Sequence, residues 1–259
     1  MSTLVSKNPA TGEVLKELKT TLPDALPGIF LQARLAQEKW SNTPLRERSQ
    51  YLIQLRETIL DQVEEITDLI SKENGKPKFE AMSNELLPCV DLLSFFAKKG
   101  PKVLKNKRIH LFLMKHRKSY LNFWPLGVVS IISPWNYPFL LPFGELVMAL
   151  IAGNAVVFKP SEITPLVGLK IQSLIDESGF PQNLVQTVIG DGALGAAVIA
   201  QQPAKIFFTG SVATGKKIMS QASQYLIPVN LELGGKDAMI VLPDADLDFA
   251  TSAALWGGS

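Results

Sequence analysis

Ala155-Val156-Val157-Phe158-Lys159-Pro160-Ser161-Glu162 is the stretch on which the fold turns. Its first five residues are apolar almost without interruption, so as a strand they would be covered on both faces, and they lead directly into a polar cluster. The same texture recurs at Val128 to Ile132, Leu184 to Ile189, Lys205 to Thr209 and Val229 to Leu233. Helical runs fit between these strands, at Pro142 to Ile151, Leu166 to Ser178, Gly192 to Gln201 and Ser211 to Gln224. Buried strands alternating with helices imply parallel pairing, and hence an α/β chain built on an open doubly wound sheet. Ligands of such sheets bind beyond the carboxyl ends of the strands. Every polar cluster of this half of the chain falls at such an end.

The first half reads differently. Ile29, Ala33, Ala36 and Trp40 share one helical face, and Pro27 suits a helix start. Leu52, Leu55, Ile59, Val63, Ile66 and Ile70 predict one long helix from Pro44, stopped at Asn74-Gly75. A third pattern runs through Phe79, Met82, Leu86, Val90 and Leu93, where Pro88 should kink or split it. Between Asp91 and Glu145 there is no acidic residue, and the alternating segment Ile109 to Met114 lies among lysines and arginines. Without interleaved aromatics or a high net charge, this basic segment reads as a guarded strand edge that pairs with another subunit, and not as a nucleic-acid surface.

Composition narrows the function classes. At 259 residues with 46% hydrophobic side chains the chain can bury a full core, and a net charge of +2 gives no strong field toward nucleic acid. The polar stretch Met1 to Glu13 lacks the apolar core of a signal peptide, and the greasiest run, Phe139 to Gly153, is interrupted by Glu145. No membrane partner is expected, and the cytoplasm is the expected compartment. Cys89 is the single cysteine, in an apolar neighbourhood, and reads as a structural thiol. His110 and His116 sit among cations, so no metal site is expected.

Five clusters carry the chemistry. Gly190-Asp191-Gly192-Ala193-Leu194-Gly195 is a literal GxGxxG, but the strand after it ends Phe207-Phe208-Thr209-Gly210 without the acid that should hold a ribose. A carboxylate able to do so stands instead at Glu162, beside Lys159, although Lys-Pro-Ser-Glu is also a good capping loop. Gly210 to Lys217 approaches a phosphate loop, but Lys217 occupies the place of the magnesium-binding hydroxyl. Ser211 there is either a plain N-cap or a phosphate contact at a helix start. Pro134-Trp135-Asn136-Tyr137-Pro138 brackets one amide that could donate to an oxyanion. Glu232-Leu233-Gly234-Gly235-Lys236 sets a carboxylate at a strand end before a glycine turn.

Taken in chain order from Asn8-Pro9-Ala10-Thr11-Gly12, the clusters Pro134 to Pro138, Gly153-Asn154-Ala155 leading into Phe158 to Glu162, Phe208-Thr209-Gly210-Ser211 with Gly215, Glu232 to Lys236 and Asp244-Ala245-Asp246-Leu247-Asp248 resemble the aldehyde dehydrogenase superfamily along the whole chain. The resemblance implies a Rossmann-like NAD(P)-binding domain over 1–259, with amino-terminal helices and an oligomerisation-type edge hairpin over 108–123, around Ile109 to Leu121. It makes Asn136 the oxyanion-hole amide and Glu232 the general base. It places the coenzyme against Ile132, Trp135, Lys159, Ser161 and Glu162, and against Gly192, Thr209, Gly210, Ser211 and Leu233. Tyr137, Leu140 and Leu141 would line the substrate tunnel. NAD is favoured because Glu162 repels a 2′-phosphate, while Lys159 leaves NADP open.

In that family a cysteine thiolate attacks an aldehyde, hydride passes to the nicotinamide, and water deprotonated by the glutamate hydrolyses the thioester. No cysteine follows Cys89, so the nucleophile and the catalytic second domain are expected to be missing from these residues, and the chain alone is expected to be inactive. The complete enzyme would be a homo-oligomer acting on a small aldehyde. Two competing readings are a non-catalytic NAD-binding or interaction module and a nucleoside triphosphatase using Gly210 to Lys217. Glu145, where many members of the family carry lysine or a neutral residue, leaves the aldehyde open.

Overall fold

The computed structural model describes residues 3–258. The chain opens with an antiparallel hairpin, β1 (Thr3–Lys7) and β2 (Val14–Lys19), which the polar composition of this stretch conceals. Helix α1 (Leu26–Ser41) follows and buries Leu26, Phe30, Ala33 and Trp40, with the Trp40 indole N–H donating to the Leu150 carbonyl.

The long helix expected from Pro44 is two helices, α2 (Leu45–Asp61) and α3 (Val63–Asn74). They part at Gln62, whose φ of −118° and ψ of 18° leave helical space. One distorted residue barely disturbs the spacing of the apolar face, which is why the pattern reads as unbroken. Gln62 ties the break down, donating to Glu177 at 2.6 Å and accepting from Lys170 at 2.7 Å. Helix α3 ends on Gly75 in the left-handed region at φ 87°, where an added Cβ would lie 2.9 Å from Pro9 Cγ. Gly75→Ala is therefore expected to cost about 1–2 kcal/mol, read as a lower urea midpoint at unchanged slope.

The helical run divides beside Pro88, as expected. A short α4 (Lys78–Glu80) opens into a π-helical segment, Ala81–Leu86, which passes into α5 (Leu87–Val103). The Leu87 N–H reaches back five residues to the Met82 carbonyl, and Pro88 falls in the first turn of α5, where its missing N–H costs least. The edge hairpin then forms from β3 (Lys107–Ile109) and β4 (Ser119–Leu121), a separate two-stranded sheet with strands shorter than the alternation to Met114 suggests.

The main sheet contains β5 (Val128–Ile132), β6 (Ala155–Lys159), β7 (Val185–Thr187), β8 (Lys205–Gly210) and β9 (Val229–Leu233), connected through α6 (Leu140–Ile151), α7 (Pro165–Glu177), α8 (Gly192–Ala200) and α9 (Val212–Ser223). All its pairs are parallel, in the order β7-β6-β5-β8-β9, a Rossmann-like arrangement. The strand expected over Leu184 to Ile189 is confined to three residues. The Asn154 side chain secures the start of β5 by accepting from the Leu126 and Gly127 amides at 2.6 and 3.1 Å.

The two faces of the sheet diverge at its β8–β9 edge. Ile206 and Phe208 pack with Ile132, Ile199 and Ile218 beneath α8 and α9, and Val229 and Leu231 join that cluster. Phe207 packs instead into the main core. With a side-chain period of two, Asn230 and Glu232 project with Phe207 to the opposite face from Val229 and Leu231. Beyond β9 the chain runs exposed to α10 (Leu247–Gly258), which is capped by Asp246 through the amides of Asp248 and Phe249.

Candidate active site

The strand order reverses direction between β5 and β8, so the crevice outside their carboxyl ends is the place where this topology binds ligands. Two clefts meet there. The first, about 460 Å³, runs between α8 and α9 and takes in Ile132, Lys159, Glu162, Gly192, Thr214 and Lys217. The second, about 590 Å³, brings Asn136 and Glu232 to one space with Leu233 and Gly234. Pro134, Trp135, Thr209, Gly210 and Ser211 belong to both and form their common wall.

Lys159 is buried at the end of β6, and its ammonium donates to the Pro160 carbonyl at 3.1 Å and lies 3.5 Å from Glu162 Oε2. Burial holds its pKa below the ordinary lysine value, against the opposing pull of Glu162. Glu162 is half-exposed and open to a ligand. Ser211 caps α9, its hydroxyl accepting from the Thr214 amide at 3.2 Å. It is thus an N-cap, and it also lines both clefts at a helix amino terminus. Glu232 is exposed, with Asn230 donating to it at 3.3 Å. The Asn136 amide meets no hydrogen-bond partner among the described residues.

Four expected site residues are not among those that line the two clefts. The Ser161 hydroxyl is buried and accepts from the Ile163 amide at 3.2 Å, which makes it a turn residue and not part of either cleft wall. Tyr137 lies under the Lys76 ammonium, 3.7 Å from the ring centroid, and Leu140 and Leu141 open α6 outside both clefts.

The topology also reinterprets two motifs. The GxGxxG run follows β7, the third strand of the sheet in sequence, whereas the dinucleotide fingerprint belongs after the first. Its Asp191 caps α8 through the amides of Ala193 and Leu194, and of the run Gly192 and Gly195 line the first cleft. Glu162, near the end of the second strand, occupies the usual place of a ribose-binding acid; it is the glycine run that is displaced. Gly215 and Lys216 lie inside α9, the Gly215 amide already bonded to the Ser211 carbonyl at 2.9 Å. A phosphate loop needs those amides free, so the triphosphatase reading fails.

Thr214 and Gln221, which the sequence does not mark out, line the first cleft with Lys217 at helical spacing from Ser211. The sequence singles out Glu145 without showing its surroundings. That carboxyl is 8% exposed on α6, and burial, followed by the charge of Glu232, raises its pKa to about 8.

A sequence model of the aldehyde dehydrogenase family matches residues 2–259. The chain belongs to that family. Among curated members, it is 39% identical to the 4,4′-diapolycopene aldehyde oxidase of Methylomonas sp. over 99% of its own length and 49% of the relative's. It is 36% identical to the betaine aldehyde dehydrogenase of Vibrio vulnificus over 96% of its length and 51% of that protein. This aldehyde dehydrogenase chain thus spans about half the length of the curated relatives it matches. In three dimensions it superimposes with a TM-score of 0.92 on the NAD+ complex of an aldehyde dehydrogenase from Bacillus cereus, at 34% identity, covering 99% of this chain and 52% of that one.

Proposed function

We propose that these residues form the coenzyme-binding part of an enzyme that oxidises aldehydes to carboxylic acids with NAD(P). The observation that carries the reading is the common wall of the two clefts, which sets a dinucleotide-sized groove beside the space shared by Asn136 and Glu232. The groove's donors fit such a coenzyme: Glu162 can accept from ribose hydroxyls, Lys159 adds a cation, and the amino terminus of α9 with Ser211 suits a pyrophosphate. Bound there, NAD(P) would accept the hydride that the aldehyde loses. Asn136 donates its amide to the developing oxyanion, a contribution of about 3 kcal/mol for a preorganised donor. Glu232 takes a proton from the water that attacks the acyl intermediate.

The thiol that forms this intermediate is not Cys89. That side chain is fully buried on α5, and burial, with Glu85 nearby, holds its pKa well above the ordinary value. These residues alone therefore bind coenzyme without turning over aldehyde. The β3–β4 hairpin, with Phe112 and Leu113 exposed at its turn, is the surface through which the complete enzyme would self-associate.

Calorimetric titration tests the coenzyme reading. NAD is expected to bind the wild-type chain more tightly than NADP, since Glu162 opposes a 2′-phosphate. Glu162→Gln should weaken NAD roughly tenfold, about 1.4 kcal/mol, and narrow the gap to NADP. Absence of binding by either coenzyme would overturn the proposal. A non-catalytic module would also bind NAD, but it would have no use for an amide and a carboxylate in the adjoining cleft.

A further inference from the structure

The loop that carries Asn136 has no regular structure, yet its backbone is held on both sides by side chains from one remote stretch, Asn74 to Glu85. Before the asparagine, the Asn74 amide donates to the Trp135 carbonyl at 2.7 Å. At the asparagine, the Lys76 ammonium donates to the Asn136 carbonyl at 3.1 Å while lying over the Tyr137 ring. After it, Glu85 Oε2 accepts from the Phe139 and Leu140 amides at 2.8 and 3.3 Å. The two halves of the grip are joined, because Lys76 and Glu85 are themselves paired at 2.8 Å.

Glu85 is fully buried and Lys76 nearly so. Desolvation offsets most of what a buried ion pair gains, so such a pair is a poor source of net stability and a better means of fixing geometry. Its members also come from specialised backbone. Gly75, left-handed, turns the chain between Asn74 and Lys76, and the π-helical segment carries Glu85. The clamp uses the carbonyl of Asn136 and leaves its side-chain amide free.

We infer that Asn74, Lys76 and Glu85 are positioning residues that hold the Pro134 to Pro138 loop so that the Asn136 amide faces the cleft of Glu232. The inference rests on the reading of Asn136 as an oxyanion donor. Reducing Lys76 and Glu85 to mere anchors between helices and sheet would predict lower stability in their variants with the loop unchanged.

Nuclear magnetic resonance on the labelled 259-residue chain separates the two. The readouts are the backbone heteronuclear NOEs of Asn136 and Tyr137, and the Asn136 side-chain amide pair, assigned by its loss in Asn136→Ala. Lys76→Met and Asn74→Ala are each expected to lower those NOEs and shift the amide pair, while β5 and α9 keep wild-type values. Lys76→Arg, which keeps a donor and a charge, should restore part of the order. If Lys76→Met does not fold, Asn74→Ala, which removes an exposed contact, decides alone. Wild-type Asn136 and Tyr137 signals in folded Asn74→Ala would overturn the clamp. A parallel NAD titration of the wild type keeps the readings apart, since its failure would remove the coenzyme site and leave the loop measurement standing.

Discussion

Glu145→Gln is expected to make the chain more stable than wild type in alkaline solution, with an advantage that shrinks toward acid. The carboxyl sits on α6 with its ordinary value of 4.5 raised to about 8, first by burial and then by Glu232, with Lys205 pulling the other way. A group whose folded pKa is raised contributes stability that is complete below its unfolded value and is lost as pH rises through the folded one. Here that window opens near 4.5 and closes near 8. Between pH 6 and pH 9 the gap between the variant and wild type should widen by roughly 3 kcal/mol. Urea denaturation of both proteins at several pH values measures it. A constant gap would show that Glu145 ionises normally in the folded chain. Glu232→Gln should lower the folded-state Glu145 pKa, bringing the upper edge of that window toward acid while its lower edge stays near 4.5.

Arg48→Met should cost about 3–5 kcal/mol. This buried guanidinium donates to three main-chain carbonyls, those of Thr43 at 2.9 Å, Ile151 at 3.1 Å and Ser41 at 2.8 Å. It thereby satisfies the ends of α1 and α6 together, the latter running straight into β6. Methionine fills much of the volume but leaves three acceptors without partners. Arg48→Lys should recover only part of the loss, because one ammonium cannot reproduce the guanidinium's fork. Gly153 explains the tight fit: at φ 90°, a Cβ there would come within 2.6 Å of Arg48 Nη1. Thermal or urea unfolding that leaves Arg48→Met within 1 kcal/mol of wild type, about one weak hydrogen bond, would refute this account.

The sheet was legible because its strands announce themselves individually. Val128 to Ile132, Ala155 to Lys159 and Val229 to Leu233 are bounded as read, and the clusters at their ends do converge on one crevice. What escaped depends on information that one strand or helix does not hold. The break at Gln62 is confined to the backbone of one residue, with no apolar signature. The strand pair at Thr3–Lys7 and Val14–Lys19 is largely exposed and so lacks the alternation that marks a half-buried sheet. Ser161 has the composition of a ligand contact, and only its hydrogen bond to Ile163 shows it turned inward. Lys76 and Glu85 lie about sixty residues from the loop they grip, a distance over which spacing carries no pattern. The missing acid already argued against the glycine run as a fingerprint, but that the run follows the third strand of the sheet is a property of the assembled structure.

The alternation along β9 makes the register of that edge strand a form of addressing. Val229 and Leu231 are directed to the compartment under α9, while Asn230 and Glu232 are directed to the other side, and only the count of residues from Leu226 decides which goes where. Deletion of Ile227 or Pro228 that kept the strand paired would send the Glu232 carboxylate to the compartment under α8 and α9 and a leucine to the opposite face. Net charge and the residues of the strand itself would be unchanged. Drift in length at this short turn is therefore far more hazardous to the chemistry than most substitutions within it.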